Sequence, residues 1–278
     1  MRVTVLMENS TPSSRLRARH GLSLWLELAD GRRALFDMGP DEGFLTNART
    51  LGLDVTEADL AVVSHGHYDH GGGLGAFLGA CSAAGREVPV YVREHAFGEH
   101  ASGTPERHHA IGLDPALAAD PRVRTVGERH ALGGGLTLFT TRLRSHSVAR
   151  SNARLMERRA GALVPDRFLH EQSLLVEEQG RRTLVSGCSH GGILNLMDEA
   201  EAIAGAPLNA VVAGFHLMDP SGGTVEDEAL TRALAAELAA RGASYLTFHC
   251  TGTDAFAILR DELGGRVRYL HVGSRAEL

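Results

Sequence analysis

Three histidines and an aspartate fall within six residues of "SHGHYDHGGG", Ser64–Gly73: His65, His67, Asp69 and His70. Imidazole and carboxylate groups so closely spaced suit a transition-metal site. In an extended segment His65 and His67 point to the same side, because side chains repeat every two residues. A turn after them lets Asp69 and His70 serve a second ion, and two-metal hydrolytic sites hold their ions about 3.5–4 Å apart. Gly71–Gly73 removes side-chain bulk where a helix is expected to begin. The bland alternative is a solvated His-rich turn. An acidic residue, a preceding apolar run and a following glycine run all coincide here, which weighs against it.

The elements that must hold these residues are legible in two stretches. In the first third the pattern predicts strands at Arg2–Met7, Leu22–Leu28, Arg33–Asp37 and Leu60–Ser64. Helices are expected over "DEGFLTNARTLG", with Asp41 as cap, and over Gly73–Ala84, followed by a strand at Val88–Val92. In the last third Ser173–Glu177 and Arg182–Ser186 read as a hairpin. Helices are expected at Gly192–Ala204, Val225–Arg241 and Asp254–Leu263, with strands at Leu208–Ala213, Ser244–Phe248 and Arg266–Leu270. From about residue 94 to 170 the pattern is poor, with one clear strand at Leu136–Thr140, and reads as an insertion or a set of loops. Strands lead, helices follow, and the cycle occurs twice. That order suits an α/β chain with two sheets face to face and helices outside. Reactive residues would then lie in loops at the strand ends.

Composition narrows the partners. The 278 residues carry a net charge of -6, and all 28 basic residues are arginine. The summed field repels phosphate backbones and anionic membranes, so neither nucleic acid nor a membrane surface is expected. The apolar run of "MRVTVLMENS" is too short for a signal peptide, and no stretch has the roughly 18 apolar residues of a membrane span. Cys81, Cys188 and Cys250 form an odd, sparse set, which suggests free thiols or metal ligands in a reducing, cytoplasmic setting. Nothing in the pattern specifies an oligomeric state.

The motifs also carry a resemblance. "SHGHYDH" is similar to the H-x-H-x-D-H signature of the metallo-β-lactamase superfamily, and "ALFDMG" resembles its strand ending in Asp-x-Gly. Together "EN…RHGLSLWLE", "SHGHYDHGGGL", "SGCSHGGILN", "GFHL" and "HCTG" resemble one branch. That branch includes a dihydropterin ribofuranosylaminobenzene-phosphate synthase and many uncharacterised metal-dependent hydrolases. The resemblance implies a four-layer αββα sandwich over residues 1–278, with 94–170 as an insertion or lid. It also implies a mono- or dinuclear centre of divalent metal, zinc first, manganese or iron as alternatives.

The remaining site residues follow from the same resemblance. Asp37 would brace the metal loop. Cys188 stands where the family bridges its metals with Asp, either as a thiolate ligand or as a small buried thiol. His190, in a loop opened by Gly191 and Gly192, would replace that bridge or the family's lone His. His249 matches the final metal His, and Cys250 is expected to face the core. His216 is read as a proton donor or substrate contact before a ligand. His146 and His170 are candidates for the lone His but read more readily as surface or loop histidines. Glu171 would approach the metal pocket, and His20 would line its mouth. His95, His100, His108, His109, His130 and His271 read as solvated or packed. The arginines at 142, 144, 150, 154, 158 and 159 form either a solvated face or a phosphate-gripping lid.

The implied activity is hydrolysis of a small molecule, phosphorylated or not, in which Asp69 orients the attacking water and accepts its proton. His216 or His20 would protonate the leaving group. One alternative is a transferase condensing a dihydropterin pyrophosphate with an aminobenzene riboside phosphate. Another is a metal-binding sensor without turnover. A nuclease is disfavoured by charge, and a flavodiiron-type redox role by His67, where those proteins carry an acidic residue.

Overall fold

Each half of the chain opens with antiparallel strands and continues with parallel ones reached through helices. The computed structural model describes residues 1–219 and 224–278. In chain order the strands are β1 (Arg2–Met7), β2 (Ser23–Glu27), β3 (Arg33–Phe36), β4 (Leu60–Val62), β5 (Val90–Arg93), β6 (His100–Gly103), β7 (His108–Ala110), β8 (Val123–Val126), β9 (Arg129–Gly133) and β10 (Leu136–Phe139). They continue with β11 (Leu155–Arg159), β12 (Ala162–Pro165), β13 (Ser173–Glu178), β14 (Arg181–Val185), β15 (Ala210–Val212), β16 (Met218–Asp219), β17 (Thr224–Val225), β18 (Ser244–Thr247), β19 (Val267–Tyr269) and β20 (Arg275–Glu277). The helices are α1 (Gly43–Thr50), α2 (Tyr68–Gly71), α3 (Leu74–Ala83), α4 (Ile193–Ala204), α5 (Glu228–Arg241) and α6 (Thr253–Leu263).

The first large sheet runs β20-β1-β2-β3-β4-β5-β8 and the second β19-β18-β15-β14-β13-β10-β9. From β3 to β8, and from β14 to β19, neighbours are parallel. Strands buried on both faces read as unbroken apolar runs, as the central strands β4 (Leu-Ala-Val) and β15 (Ala-Val-Val) do. Along β3, Ala34 and Phe36 face the second sheet while Leu35 faces the helices; along β4, Val62 faces inward and Ala61 outward. The central layer joins Val5, Leu24 and Phe36 to Leu174, Val185 and Leu246. On one outer face Phe44 of α1 and Phe77 of α3 pack on Leu35. On the other, Met197, Leu238 and Leu259 from α4, α5 and α6 pack on Leu184, Val211 and Tyr245. The result is the expected αββα sandwich.

Some boundaries differ from the sequence-based expectation. Helix α5 starts at Glu228, not Val225, because Asp227 caps it, its Oδ1 accepting the amide of Ala229 at 2.8 Å. The C-terminal strand β20, paired with β1, was not anticipated. The largest correction is the middle segment, which is not mostly loops. Strand β8 extends the first sheet and β9 joins β10 in the second, while β12-β11-β6-β7 form a separate four-stranded sheet. These strands escaped the pattern because β7 is exposed throughout and β12 is half-exposed or exposed, so neither alternates apolar with polar.

Candidate metal centre

The residues singled out above converge where parallel strands end, the edge at which α/β sheets usually place ligands. Asp37 follows β3, His65–His70 follow β4, Cys188 and His190 follow β14, His216 follows β15 and His249 follows β18. Four of them or their neighbours, Asp37, Ser189, His216 and His249, hold φ between 51° and 61°. For non-glycine residues this backbone is strained by about 1–3 kcal/mol each, and such strain gathers at functional sites. The loop at His65–His70 needs its glycines for another reason. A Cβ on Gly66 would lie 2.3 Å from the carbonyl oxygen of Ala96, and one on Gly72 would lie 2.4 Å from those of Pro40 and Tyr68.

Four imidazoles are oriented through Nδ1. That atom lies 2.9 Å from Ser64 Oγ in His65, 2.6 Å from Asp37 Oδ2 in His70, 2.9 Å from Asn152 Oδ1 in His190 and 2.8 Å from Asn9 Oδ1 in His249. Each partner can accept a hydrogen bond from Nδ1–H, which turns Nε2 toward the common centre; metal-binding histidines are braced in this way. Asp37 is the hub of one brace, since its carboxylate also accepts the Ser64 amide and hydroxyl, both at 2.7 Å. The expected bracing position for Asp37 is thus the one it occupies.

The Nε2 atoms of His65, His67 and His190 are buried and have no hydrogen-bond partner. Buried polar atoms are rarely left unmatched, and these three lie within 4.8 Å of one another. A second group adjoins them. His70 Nε2 lies 3.1 Å from Cys188 Sγ and 3.2 Å from His249 Nε2, and Asp69 Oδ2 lies 3.2 Å from His249 Nε2. The donor atoms of Cys188, His249 and Cys250 also lie within 4.8 Å of one another. Nitrogen, oxygen and sulfur donors so arranged fit divalent metal.

Electrostatics agree with that fit. Burial, reinforced by neighbouring imidazoles, holds His65, His67 and His190 well below the ordinary histidine value, so they are neutral donors at pH 7. Burial works against ionisation of Asp69, but His70, His20 and His249 outweigh it and hold the carboxyl well below its usual range. His70 moves the other way: burial opposes protonation, yet Asp69 and Asp37 raise it to about 9. Burial and the second thiol of Cys250 push the Cys188 thiol well above its usual value. A bound cation would displace both of those protons.

Several expected positions change. Cys250 does not face the core alone; it lines the same cavity as Cys188. His170 is fully buried, not superficial. It belongs with His100 and Asp166 to a second cluster, with Asp166 Oδ2 2.9 Å from His100 Nδ1 and 3.2 Å from His170 Nε2. His170 Nδ1 accepts the Gly66 amide at 2.9 Å and so braces the backbone between His65 and His67. His146 pairs with Asp198 and Glu237 outside the group. His20 Nε2 lies 3.2 Å from Asp69 Oδ2, at the cavity wall as expected. His216 also lines the cavity, and neither of its ring nitrogens has a hydrogen-bond partner. Of the six arginines only Arg154 lines it; Arg142, Arg158 and Arg159 pair with Glu128, Glu99 and Glu157. The cavity measures about 270 Å³, and Tyr68, Ser102, His109 and Ser151 also border it. Sequence reasoning missed Asn9, Asn152 and Phe168, whose ring stacks on His190 at 4.4 Å. Asn9 falls within the "EN" motif, which was the one available signal.

Glu171 does approach the centre, but through the backbone: its carboxylate accepts the amides of His190 at 2.6 Å and Gly191 at 2.8 Å. Burial raises it from 4.5 to about 7. The folded state therefore keeps a proton that the unfolded chain releases, and stability falls as pH rises from about 4.5 to about 7, by about 3 kcal/mol in all. Urea unfolding of the metal-free protein checks this. The stability of Glu171→Gln relative to the parent is expected to improve by about that amount between pH 5 and pH 8. A difference that stays constant with pH would rule out this titration.

Known proteins place the chain. The family model described as Metallo-beta-lactamase superfamily matches residues 16–214. The chain is 27% identical over 271 residues to the 7,8-dihydropterin-6-methyl-4-(beta-D-ribofuranosyl)-aminobenzene-5'-phosphate synthase of Methanocaldococcus jannaschii, covering 92% of this chain and 89% of that one. Among solved structures, Tm1679, described as a metal-dependent hydrolase of the beta-lactamase superfamily, superposes with a TM-score of 0.80 at 27% identity, covering 100% of this chain and 99% of the other. Human tRNase Z, short form, shares the fold at a TM-score of 0.54 and 15% identity, covering 100% and 99%. With the sandwich, the histidine-rich strand ends and a match over most of its length, the chain belongs to the metallo-beta-lactamase superfamily.

Proposed function

We propose that this protein is a metal-dependent hydrolase with a dinuclear centre, zinc by preference, acting on a small phosphate-bearing substrate. The observation that carries the reading is the set of buried imidazole nitrogens left without hydrogen-bond partners, those of His67 and His190 lining the cavity and that of His65 close to both. His65, His67 and His190 would hold one ion; Asp69, His70 and His249 would hold the other, with Cys188 between them. Bound there, divalent cations supply an acidified water and polarise a substrate oxygen.

The protein's own groups do the rest. Asp69, held ionised, orients the attacking water by accepting its hydrogen bond. His20 and His216 flank the cavity and are placed to give a proton to the leaving group. Arg154, with Ser102, Ser151 and His109, borders the mouth and suits a phosphate or other anion. The cavity is near the lower end of small-molecule sites, about 300–1,000 Å³, which favours a compact substrate over a duplex. Among the described residues no helix is long and apolar enough to cross a membrane. Three free cysteines fit a cytoplasmic protein.

Elemental analysis of the purified protein tests this directly, followed by a panel of phosphoesters, acyl esters and lactones. Two metal ions per chain are expected, with hydrolysis that chelation and His67→Ala abolish. Metal-free protein that still turns over substrate would overturn the reading.

A transferase reading is favoured by one observation, the similarity to the Methanocaldococcus jannaschii synthase across most of both chains. Supplying a dihydropterin pyrophosphate with an aminobenzene riboside phosphate separates the two. Condensation with release of pyrophosphate supports transfer; hydrolysis of either compound alone supports the leading proposal.

A further inference from the structure

Cys188 and Cys250 lie 62 residues apart on strand ends that are not neighbours. Cys188 follows β14, Cys250 follows β18, and β15 runs between them. The residue that follows β15 at this level is Gly214, and a Cβ there would lie 2.6 Å from Cys250 Sγ and 3.1 Å from the carbonyl oxygen of Gly187. The missing side chain is what lets a sulfur stand over the middle strand and face the opposite thiol.

Cys250 is held there firmly. Its neighbour His249 is anchored by Glu8, whose Oε1 accepts the His249 amide at 2.8 Å, and Thr251 Oγ1 accepts the Phe215 amide at 2.9 Å. Both cysteines are buried from bulk solvent yet line the cavity. The donor atoms of Cys188, Cys250 and His249 lie within 4.8 Å of one another. With zinc bonds of about 2.3 Å to sulfur and 2.0–2.1 Å to nitrogen, neighbouring donors on one ion would stand roughly 3–4 Å apart, within that limit. The Cys250 thiol lies 3.8 Å from the Cys188 carbonyl oxygen and also interacts with the Cys188 and His216 side chains, so it sits among donors and not among apolar groups. Beside the pair, His216 is buried, and its donor atom lies within 4.8 Å of those of Cys188 and His190, so donors crowd this corner of the cavity.

We infer that the second metal position is a two-thiolate position, in which Cys250 binds the ion together with Cys188 and His249, beside the Asp69 and His70 assigned to it above. The inference rests on the metal-centre reading above. Each thiol gives up its proton to solvent and forms one metal–sulfur bond, with no oxidant or reductant involved. Two thiolates select borderline and soft cations, zinc or cadmium, over manganese or magnesium.

Cobalt(II) reconstitution of the full chain tests this without turnover. Thiolate-to-cobalt charge transfer gives a near-ultraviolet band, and Cys250→Ser is expected to reduce it by about half at equal cobalt content, since one of two sulfurs is lost. Cys188→Ser should also reduce it, and the double variant should abolish it. A band unchanged in Cys250→Ser overturns the inference. Should that variant fail to fold, alkylation of the native protein decides. Both Cys188 and Cys250 are expected to react when metal-free and to be protected by cadmium(II), with Cys81 on α3 as the internal reference. Equal labelling of Cys250 with and without cadmium overturns the inference while leaving the hydrolase reading intact. Failure to take up any metal would sink both.

Discussion

His190→Ala is expected to empty one metal position and cut turnover by more than about 100-fold, since losing even an outer partner of a ligand costs 10–100-fold in affinity or activity. The structure makes His190 a sharp test because so much is built around it. Asn152 brackets it, with Oδ1 2.9 Å from Nδ1 and Nδ2 donating to the His190 carbonyl at 2.9 Å. Phe168 stacks on the ring, and Glu171 accepts the amide. All of this leaves Nε2 aimed at His65 and His67. Metal analysis of the variant should show one ion per chain in place of two. Asn152→Ala should show a milder version, about 10-fold weaker metal binding with the fold retained. If His190→Ala kept both ions and full activity, His190 would be a packing residue and the assignment of the first position would be wrong.

Asp37→Ala is expected to destabilise the protein by about 3–5 kcal/mol, because removing one partner of a buried ionic group strands the others. The carboxylate is fully buried and accepts from the Ser64 amide, the Ser64 hydroxyl and His70 Nδ1. For a chain of this size that corresponds to a fall of about 10 °C in Tm. Asp37→Asn should separate folding from chemistry. Asparagine tolerates the φ of 61° at this position and keeps an oxygen for the Ser64 amide. Its amide nitrogen, however, is a donor where His70 Nδ1 needs an acceptor. His70 must then take its proton on Nε2, the atom facing Cys188 and His249. The expected result is a near-normal Tm with metal affinity at the second position reduced 10- to 100-fold. Thermal unfolding and metal titration together check it. Normal metal affinity in the asparagine variant would show that Asp37 serves the fold alone.

The two halves of the sandwich were readable because their strands are buried on both faces and their helices alternate with them, so each element announces itself locally. The strands and helices expected from Arg2 to Val92 and from Ser173 to Leu270 all occur with small boundary changes, while the short elements α2, β16 and β17 in the same stretches were not anticipated. The small sheet of β6, β7, β11 and β12 was not readable. Two local hairpins, β6–β7 and β11–β12, are joined into one sheet by the pairing of β11 with β6 across more than 50 residues, and His108, His109, Arg158 and Arg159 lie on strands without an alternating apolar face.

The same division runs through the site. His65, His67, Asp69 and His70 were evident because four donors lie within six residues, and His190 and His249 because each follows an apolar strand and precedes glycine. Their partners were hidden by separation along the chain. Asn9 meets His249 across 240 residues, and Asn152 meets His190 from a segment without a clear pattern. His170 read as a loop histidine because nothing near it announces burial; it is buried because Asp166 and His100 come back to it. Cys250 read as facing away because neighbours in a strand alternate sides, but a turn of 3-10 helix at His249–Thr251 breaks that alternation. The sequence alone determined the donor types and the strand ends that carry them, since both depend on local spacing. The tertiary structure decided which nitrogen each histidine presents, which arginine reaches the cavity and which sulfurs meet. Those outcomes depend on side chains brought together from remote parts of the chain.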